Sequence, residues 1–151
     1  MKFLALASLL SLTSATPLAF LKRAEAKSMM SSVPEWTIES MLRCCNEADT
    51  SCEWSFGINT NDGSASTPCT MTVSASGSTP ASEADGGQVA CGVFTVTSGW
   101  SGQFGEGNGF TVLSVVNYAK GLIVWPGYTD VQLDGGEVVE PDQSYQPQAL
   151  P

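Results

Sequence analysis

Histidine is absent from the whole 151-residue chain. Its absence excludes Ser–His and Cys–His nucleophiles, acid–base catalysis by imidazole, and the common zinc sites. Composition leaves open only chemistry that carboxylates perform alone, as in many glycosidases, or a cation bound by carboxylates. Any catalytic or metal-binding role would therefore have to rest on the acidic residues.

Basic residues are scarce, since six Lys and Arg stand against fifteen Asp and Glu. Three of the six precede Ala24 and every acid follows it, so a chain starting there would have three basic and fifteen acidic residues, a net charge of −12. This charge repels phosphate backbones and anionic lipid headgroups. We expect neither nucleic acid nor a membrane as a partner. Beyond the N-terminus, no apolar run approaches the ~18 residues that span a bilayer.

The N-terminus has the pattern of a secretory signal. Lys2 precedes an apolar stretch, and the small residues at 13–15 suit a cleavage site. The dibasic pair Lys22-Arg23 follows as a site for a processing protease. We expect a secreted, extracellular protein with a signal peptide over 1–15, a short propeptide over 16–23, a flexible leader over 24–34 and one β domain over 35–151 that ends in an irregular tail.

Strand patterns dominate the domain. Short apolar or alternating segments are separated by turn chemistry; they cover 36–44, 52–59, 69–75, 89–97, 110–118, 122–125, 128–133 and 137–139. The last two flank Asp134-Gly135-Gly136, which is a hairpin signal. The pattern predicts an all-β, disulfide-stabilised domain of about seven or eight short antiparallel strands, either a β-barrel or a two-sheet sandwich. The sequence does not choose between those two.

The chain has an odd number of cysteines, namely Cys44, Cys45, Cys52, Cys69 and Cys91. One thiol is therefore left over. Sequence order favours Cys69 with Cys91, and Cys52 with one of the adjacent pair. Strand parity favours Cys44 for Cys52, whereas a bulge at Cys44-Cys45 would allow Cys45 instead. The free thiol could be reactive or form a dimer, but a buried thiol acting as a small hydrophobe is the simpler expectation.

Three aromatic residues are candidates for recognition. Trp100 and Phe104 lie in the Gly-rich segment 98–109, and Trp125 ends an apolar run. That segment is not a phosphate-binding loop, because it lacks the Lys-Ser/Thr pair and leads into a strand. Loop 76–87 is a second candidate recognition loop. Trp100 and Trp125 could also stack on sugar rings, so a cell-wall or carbohydrate-binding module is an alternative hypothesis.

Acidic residues cluster in the segments 47–53, 83–85 and 130–142. None of these clusters has the D-x-D-x-D-G spacing of a calcium loop. We interpret them as solvated side chains and expect no catalytic residue, no metal and no cofactor.

Several strings along the chain occur together: WTIES at 36–40, CNEADTSC at 45–52, SFGINT at 55–60, SGWSGQFG at 98–105, LIVWP at 122–126 and PDQSY at 141–145. With these strings, most of residues 35–151 resemble the small secreted proteins of filamentous ascomycete fungi, some of which are hypersensitive-response-inducing elicitors of plants. The resemblance implies a non-enzymatic effector or elicitor, with an unknown plant receptor or apoplastic target as its partner. It also implies the disulfides Cys45–Cys52 and Cys69–Cys91, with Cys44 left free.

Overall fold

The computed structural model describes residues 33–151, so the predicted signal peptide, propeptide and nearly all of the predicted leader lie outside the described residues. A 3-10 turn spans Ala81–Glu83, and one turn of α-helix, α1, spans Asp130–Leu133. The strands, in chain order, are β1 Trp36–Cys45, β2 Ser51–Asn59, β3 Thr67–Ser74, β4 Gly86–Cys91, β5 Phe94–Ser101, β6 Phe110–Asn117, β7 Leu122–Val124, β8 Gly127–Thr129, β9 Gln143–Tyr145 and β10 Gln148–Ala149. Within these residues, no helix is long and apolar enough to cross a membrane.

The strands form two antiparallel sheets. One has the order β3-β2-β1-β9, and the other has the order β10-β7-β6-β5-β4, with β8 also paired to β6. Strands β7 and β8 lie along the same side of β6, and the amide of Leu113 bridges the gap between them by donating to the carbonyl of Pro126 at 2.8 Å. The all-β prediction is confirmed, and the architecture is a sandwich rather than a closed barrel.

The core lies between the two sheets and is built from alternate residues of their strands. The edge of the Trp36 ring meets the Phe94 ring across the interface, with centroids 5.3 Å apart. The disulfide between Cys69 and Cys91 joins β3 to β4, so it also joins one sheet to the other. Trp54 is buried in the same core, as its parity on β2 predicts.

A bulge in β1 decides which of its residues face the core. The register against β2 shifts between Glu39 and Leu42, and Ser40 adopts a positive φ of 51°. The shift moves burial to the other parity, because Met41 and Arg43 follow it as buried residues. The parity argument, which favoured Cys44 as the partner of Cys52, is wrong for this reason.

The pairing of the cysteines follows from that bulge. Cys45 lies directly opposite Cys52 and is bonded to it, whereas Cys44 lies opposite Glu53 and is free and exposed. The irregularity that allows this pairing lies four residues before the Cys44-Cys45 pair, at Ser40. The expectation of a buried thiol is wrong.

The predicted hairpin around Asp134-Gly135-Gly136 is also wrong. Thr129 and Gln132 form a capping box, in which the Thr129 hydroxyl accepts from the Gln132 amide and the Gln132 side chain accepts from the Thr129 amide. This local pairing starts α1 where an extended strand was expected. Residues 137–139 consequently form no strand.

Two other segments differ from the sequence-based expectation. The tail predicted to be irregular contains β9, which pairs with β1, and β10, which pairs with β7. Strand β5 extends through Ser101, so Trp100 lies in a strand and the loop is confined to residues 102–109.

Candidate functional site

Two exposed aromatic side chains, Phe104 and Trp125, and the half-buried Phe110 lie on the outer side of the six-stranded sheet. Phe110 at the start of β6 stacks on Phe104 from the preceding loop, with ring centroids 5.7 Å apart and planes inclined by 30°. Phe104 is 68% exposed. Trp125 is 47% exposed, and it lies between β7 and β8 next to Val124, which faces the core. We call Phe104, Phe110 and Trp125 the aromatic surface.

A shallow groove of about 340 Å³ adjoins the stacked rings. Its lining residues are all uncharged: Phe104, Asn108, Phe110, Gly127, Tyr128, Thr129 and Gln132. Gly127, in the groove lining, leaves free space beside it, because the nearest atom to a Cβ built there would be in the Val112 side chain, 4.0 Å away. The capping box holds Thr129 and Gln132 in place along one wall.

Trp100 is not part of the aromatic surface. Its indole N–H donates to Asp130 at 3.0 Å, and its backbone amide donates to Asp85 at 2.9 Å. Gly102 and Gly109 lie so close to the indole that any side chain there would overlap with it. The structure therefore uses Trp100 to hold the base of the loop, while Phe104 and Trp125 are displayed to solvent.

Arg43 is a buried cation that sequence reasoning missed. Its side chain is 2% exposed and donates to Asp130 at 3.4 Å, to the carbonyl of Ser82 at 3.1 Å and to Asp134 at 2.9 Å. The guanidinium also lies 5.6 Å from the centroid of the Trp54 ring. This network ties β1, the 3-10 turn and α1 together, and through Asp130 it reaches the Trp100 indole.

A polar cleft of about 520 Å³ opens above Arg43. Its acidic residues already have partners, because Asp134 pairs with Arg43 and Asp49 accepts hydrogen bonds from the amide and hydroxyl of Ser82. Cys45, Asp49 and Cys52 lie close enough to suggest a metal site, but the two sulfurs are bonded to each other. The two acidic residues that line this cleft, Asp49 and Asp134, are therefore engaged within the fold.

Cys44 lies at the rim of that cleft. It follows Arg43 and precedes Cys45, both of which occupy the opposite parity of β1, so its thiol faces away from the disulfide. A Cβ built on Gly136 would lie 3.4 Å from its sulfur. The neighbouring disulfide and this thiol are therefore on different faces of the sheet.

The surface of the described residues is strongly acidic. Arg43 and Lys120 are the basic residues between positions 33 and 151, and Arg43 is buried. The exposed Lys120 pairs with Asp62 at 3.3 Å. Hydrogen bonds from the Ser64 hydroxyl and amide, more than this ion pair, hold the pKa of Asp62 well below its ordinary value.

Three further groups titrate away from their ordinary values. A hydrogen bond from the Asn59 amide, 2.7 Å long, lowers the pKa of Glu39. Burial raises the pKa of Tyr128 and, to a smaller extent, that of Tyr145. Tyr128 lines the groove beside the aromatic surface, but its hydroxyl is buried beneath the groove.

The sequence is similar to known proteins over nearly the whole of this fold. It matches the protein family described as Effector TSP1 over residues 37–150. A protein named Effector TSP1 from the fungus Hypocrea virens (strain Gv29-8 / FGSC 10586) is 55% identical over 125 residues, a match that covers 83% of each chain. The family match includes both sheets, both disulfides and all three residues of the aromatic surface.

Proposed function

The chain belongs to the Effector TSP1 family of fungal effectors, and from that premise we propose that it is a secreted, non-enzymatic effector that plants perceive, of the hypersensitive-response-inducing type. The signal pattern over 1–15 and the Lys22-Arg23 pair support secretion. The two disulfides suit a protein that folds in an oxidising compartment and works outside the cell.

The observation that carries perception by a partner is the aromatic surface. Single exposed apolar side chains are common on folded proteins, whereas aromatic rings that lie together on the surface are typical of an interaction site. The stacked Phe104 and Phe110 rings meet this description. The partner we propose is a plant receptor or another apoplastic target. The acidic surface disfavours nucleic acids and anionic membranes in that role.

A non-catalytic role is supported by the way the carboxylates are used. A glycosidase needs two carboxyl groups that face a substrate, one of them protonated. Asp130 and Asp134 lie near each other, but both accept hydrogen bonds from the buried guanidinium of Arg43. Their arrangement is that of a structural ion-pair network.

Leaf infiltration tests this proposal. The oxidised protein beginning at Ala24 is infiltrated beside a sample that has been reduced and heated, and cell death and the oxidative burst are scored. We expect a response to the folded sample alone, because recognition by shape requires the disulfide-tied sandwich. An equal response to both samples would indicate a linear epitope, and no response to either in several hosts would contradict the elicitor role.

Two variants link the response to the aromatic surface. Phe104→Ala removes one ring of the stacked pair and should weaken the response at equal dose. Tyr118→Ala is the matched control, because Tyr118 is 65% exposed and follows Asn117 at the opposite end of β6. If both variants keep the full response, recognition takes place elsewhere on the molecule.

A further inference from the structure

The groove beside the stacked rings has the chemistry of a sugar-binding site. The apolar C–H faces of a pyranose ring pack against aromatic rings. Phe104 offers such a ring, because it is 68% exposed and is supported from one side by the half-buried Phe110 ring that it stacks on. Asn108 and Gln132 stand at the same groove with amide groups. Within residues 33–151, the side-chain atoms Asn108 Oδ1 and Gln132 Nε2 make no hydrogen bond, so both are open to sugar hydroxyls.

The charge around the groove limits which polysaccharides it could bind. The groove is an uncharged region of a strongly acidic molecule. Asp130 lies nearby, but Arg43 and Trp100 both bind its carboxylate. Among residues 33–151 the exposed cation is Lys120, which lies beyond the opposite end of β6. An anionic polysaccharide would find repulsion and no counter-charge at this site, whereas an uncharged one is accepted.

The groove is also preorganised. Its volume of about 340 Å³ is at the small end of the range for ligand sites, ~300–1,000 Å³. It therefore suits a short stretch of a longer polymer. The capping box at Thr129 and Gln132 holds one wall, and the Trp100 bond to Asp130 holds the base of the loop that carries Phe104. A site held in this way loses little conformational entropy when it binds.

We propose that the aromatic surface and its groove bind an uncharged, β-linked polysaccharide of the cell-wall type. In such a polymer, each pyranose ring can present an apolar C–H face to the aromatic rings and its hydroxyls to the amides. This activity goes beyond the proposed effector role, because it would keep the secreted protein at a wall whether or not a plant perceives it.

Co-sedimentation tests the proposal with three polymers. The oxidised protein beginning at Ala24 is mixed with insoluble chitin, with insoluble β-1,3-glucan and with cross-linked polygalacturonate, and the unbound fraction is measured against polymer concentration. We expect binding to at least one of the two neutral polymers and none to the anionic one. Failure to bind either neutral polymer would overturn the proposal.

Variants locate the binding site. Phe104→Ala removes a stacking ring, and Gly127→Val adds bulk at a groove-lining strand position where a Cβ meets no atom closer than 4.0 Å and branched residues suit the backbone. Each should weaken binding at least about tenfold while the thermal midpoint stays within a few degrees, and Tyr118→Ala should bind as the unaltered protein does. Equal binding by all variants, or equal loss with Tyr118→Ala, would overturn the assignment.

The same variants distinguish the other occupants of this surface. If size-exclusion chromatography shows a dimer that only Phe104→Ala and Gly127→Val dissociate, with sedimentation unchanged, the surface binds a second copy and the proposal is overturned. A leaf response that depends on Phe104 without any polysaccharide binding would assign the surface to a plant protein instead. Binding to the polymer without any leaf response would uphold this inference and contradict only the elicitor role.

Discussion

At the scale of single residues, Arg43 does the most to organise this molecule. It is almost fully buried, and its guanidinium donates to two carboxylates and a backbone carbonyl and lies over the Trp54 ring. A buried charge is tolerated only when it is paired and hydrogen-bonded. The network therefore fixes the position of α1, and α1 in turn supports the groove.

Replacing Arg43 should be costly. Arg43→Ala removes the packing of the aliphatic stem and leaves Asp130 without its cation, so we expect a loss of about 2–4 kcal/mol in the free energy of unfolding. Urea denaturation followed by tryptophan fluorescence measures this change. Lys120→Ala is the control, because it breaks an ion pair between exposed side chains and should change the urea midpoint little. Equal effects of the two variants would contradict a structural role for the network.

At the scale of elements, the backbone of the 102–109 loop can lie close to Trp100 of β5 only because glycines stand at positions 102 and 109. Gly109 lies against both the Trp100 indole and the Asp130 carboxylate. These two groups occupy the space in which a Cβ on residue 109 would lie. Its carbonyl also accepts from the Asp130 amide, which joins the end of the loop to the start of α1. The loop that carries Phe104 is therefore fastened at its base although its tip is exposed.

A methyl group at Gly109 should loosen this junction. Gly109→Ala forces the indole or the carboxylate to move, with an expected cost of about 1–3 kcal/mol. Proteolysis of the native protein within the loop should become faster at the same time. Gly87→Ala is the matched change, because nothing lies within 4 Å of a Cβ there and its φ is not positive. Unaltered stability and protease resistance in Gly109→Ala would show that the close approach is unimportant.

At the scale of the whole molecule, four groups have pKa values shifted by the fold, and none of them is expected to change the stability near neutral pH. The chain has no histidine. The pKa values of Glu39 and Asp62 are lowered by hydrogen bonds, and those of Tyr128 and Tyr145 are raised mainly by burial. These four groups therefore titrate nearer the two ends of the pH scale than the same side chains do in water.

The urea midpoint should be nearly constant between about pH 5 and pH 9. A lowered carboxyl pKa gives stability that is complete above the ordinary value, 4.5 for Glu39, and is lost as the pH falls through the lowered one. A raised tyrosine pKa gives stability that is complete below 10.0, its ordinary value, and is lost as the pH rises above it. A steep change near pH 6–7 would contradict this expectation.

Two variants assign the ends of that interval to their groups. Glu39→Gln should make the acid side less steep, because an amide keeps a partner for Asn59 but does not titrate. Tyr128→Phe should make the alkaline side less steep, because it removes the buried hydroxyl. Both effects can be measured from urea midpoints at pH 3 and pH 11. Glu39→Gln should change the pH dependence more at pH 3, and Tyr128→Phe should change it more at pH 11.

The all-β class could be predicted from residue order, because alternation and turn residues are local properties that survive in the folded chain. The capping box is also a local feature, because Thr129 and Gln132 lie three residues apart in the sequence. That spacing indicates the start of a helix, whereas the Asp134-Gly135 pair after it indicates a turn between strands. The choice of a sandwich over a barrel depends on which strands pair although they are far apart in sequence. The tail strands are an example, since β9 adds to the four-stranded sheet beside β1 and β10 adds to the other sheet beside β7.

The acidity, the lack of histidine and the count of five cysteines follow from composition alone. What the tertiary structure decided is which side chains meet. One bulge at Ser40 reversed the buried face of β1, turned Arg43 inward and left Cys44 exposed. Phe104 and Phe110 became a stacked pair, while Trp100 was bound by Asp130. A register shift of one residue exchanges the two faces of a strand, and the contacts that set it come from strands distant in sequence.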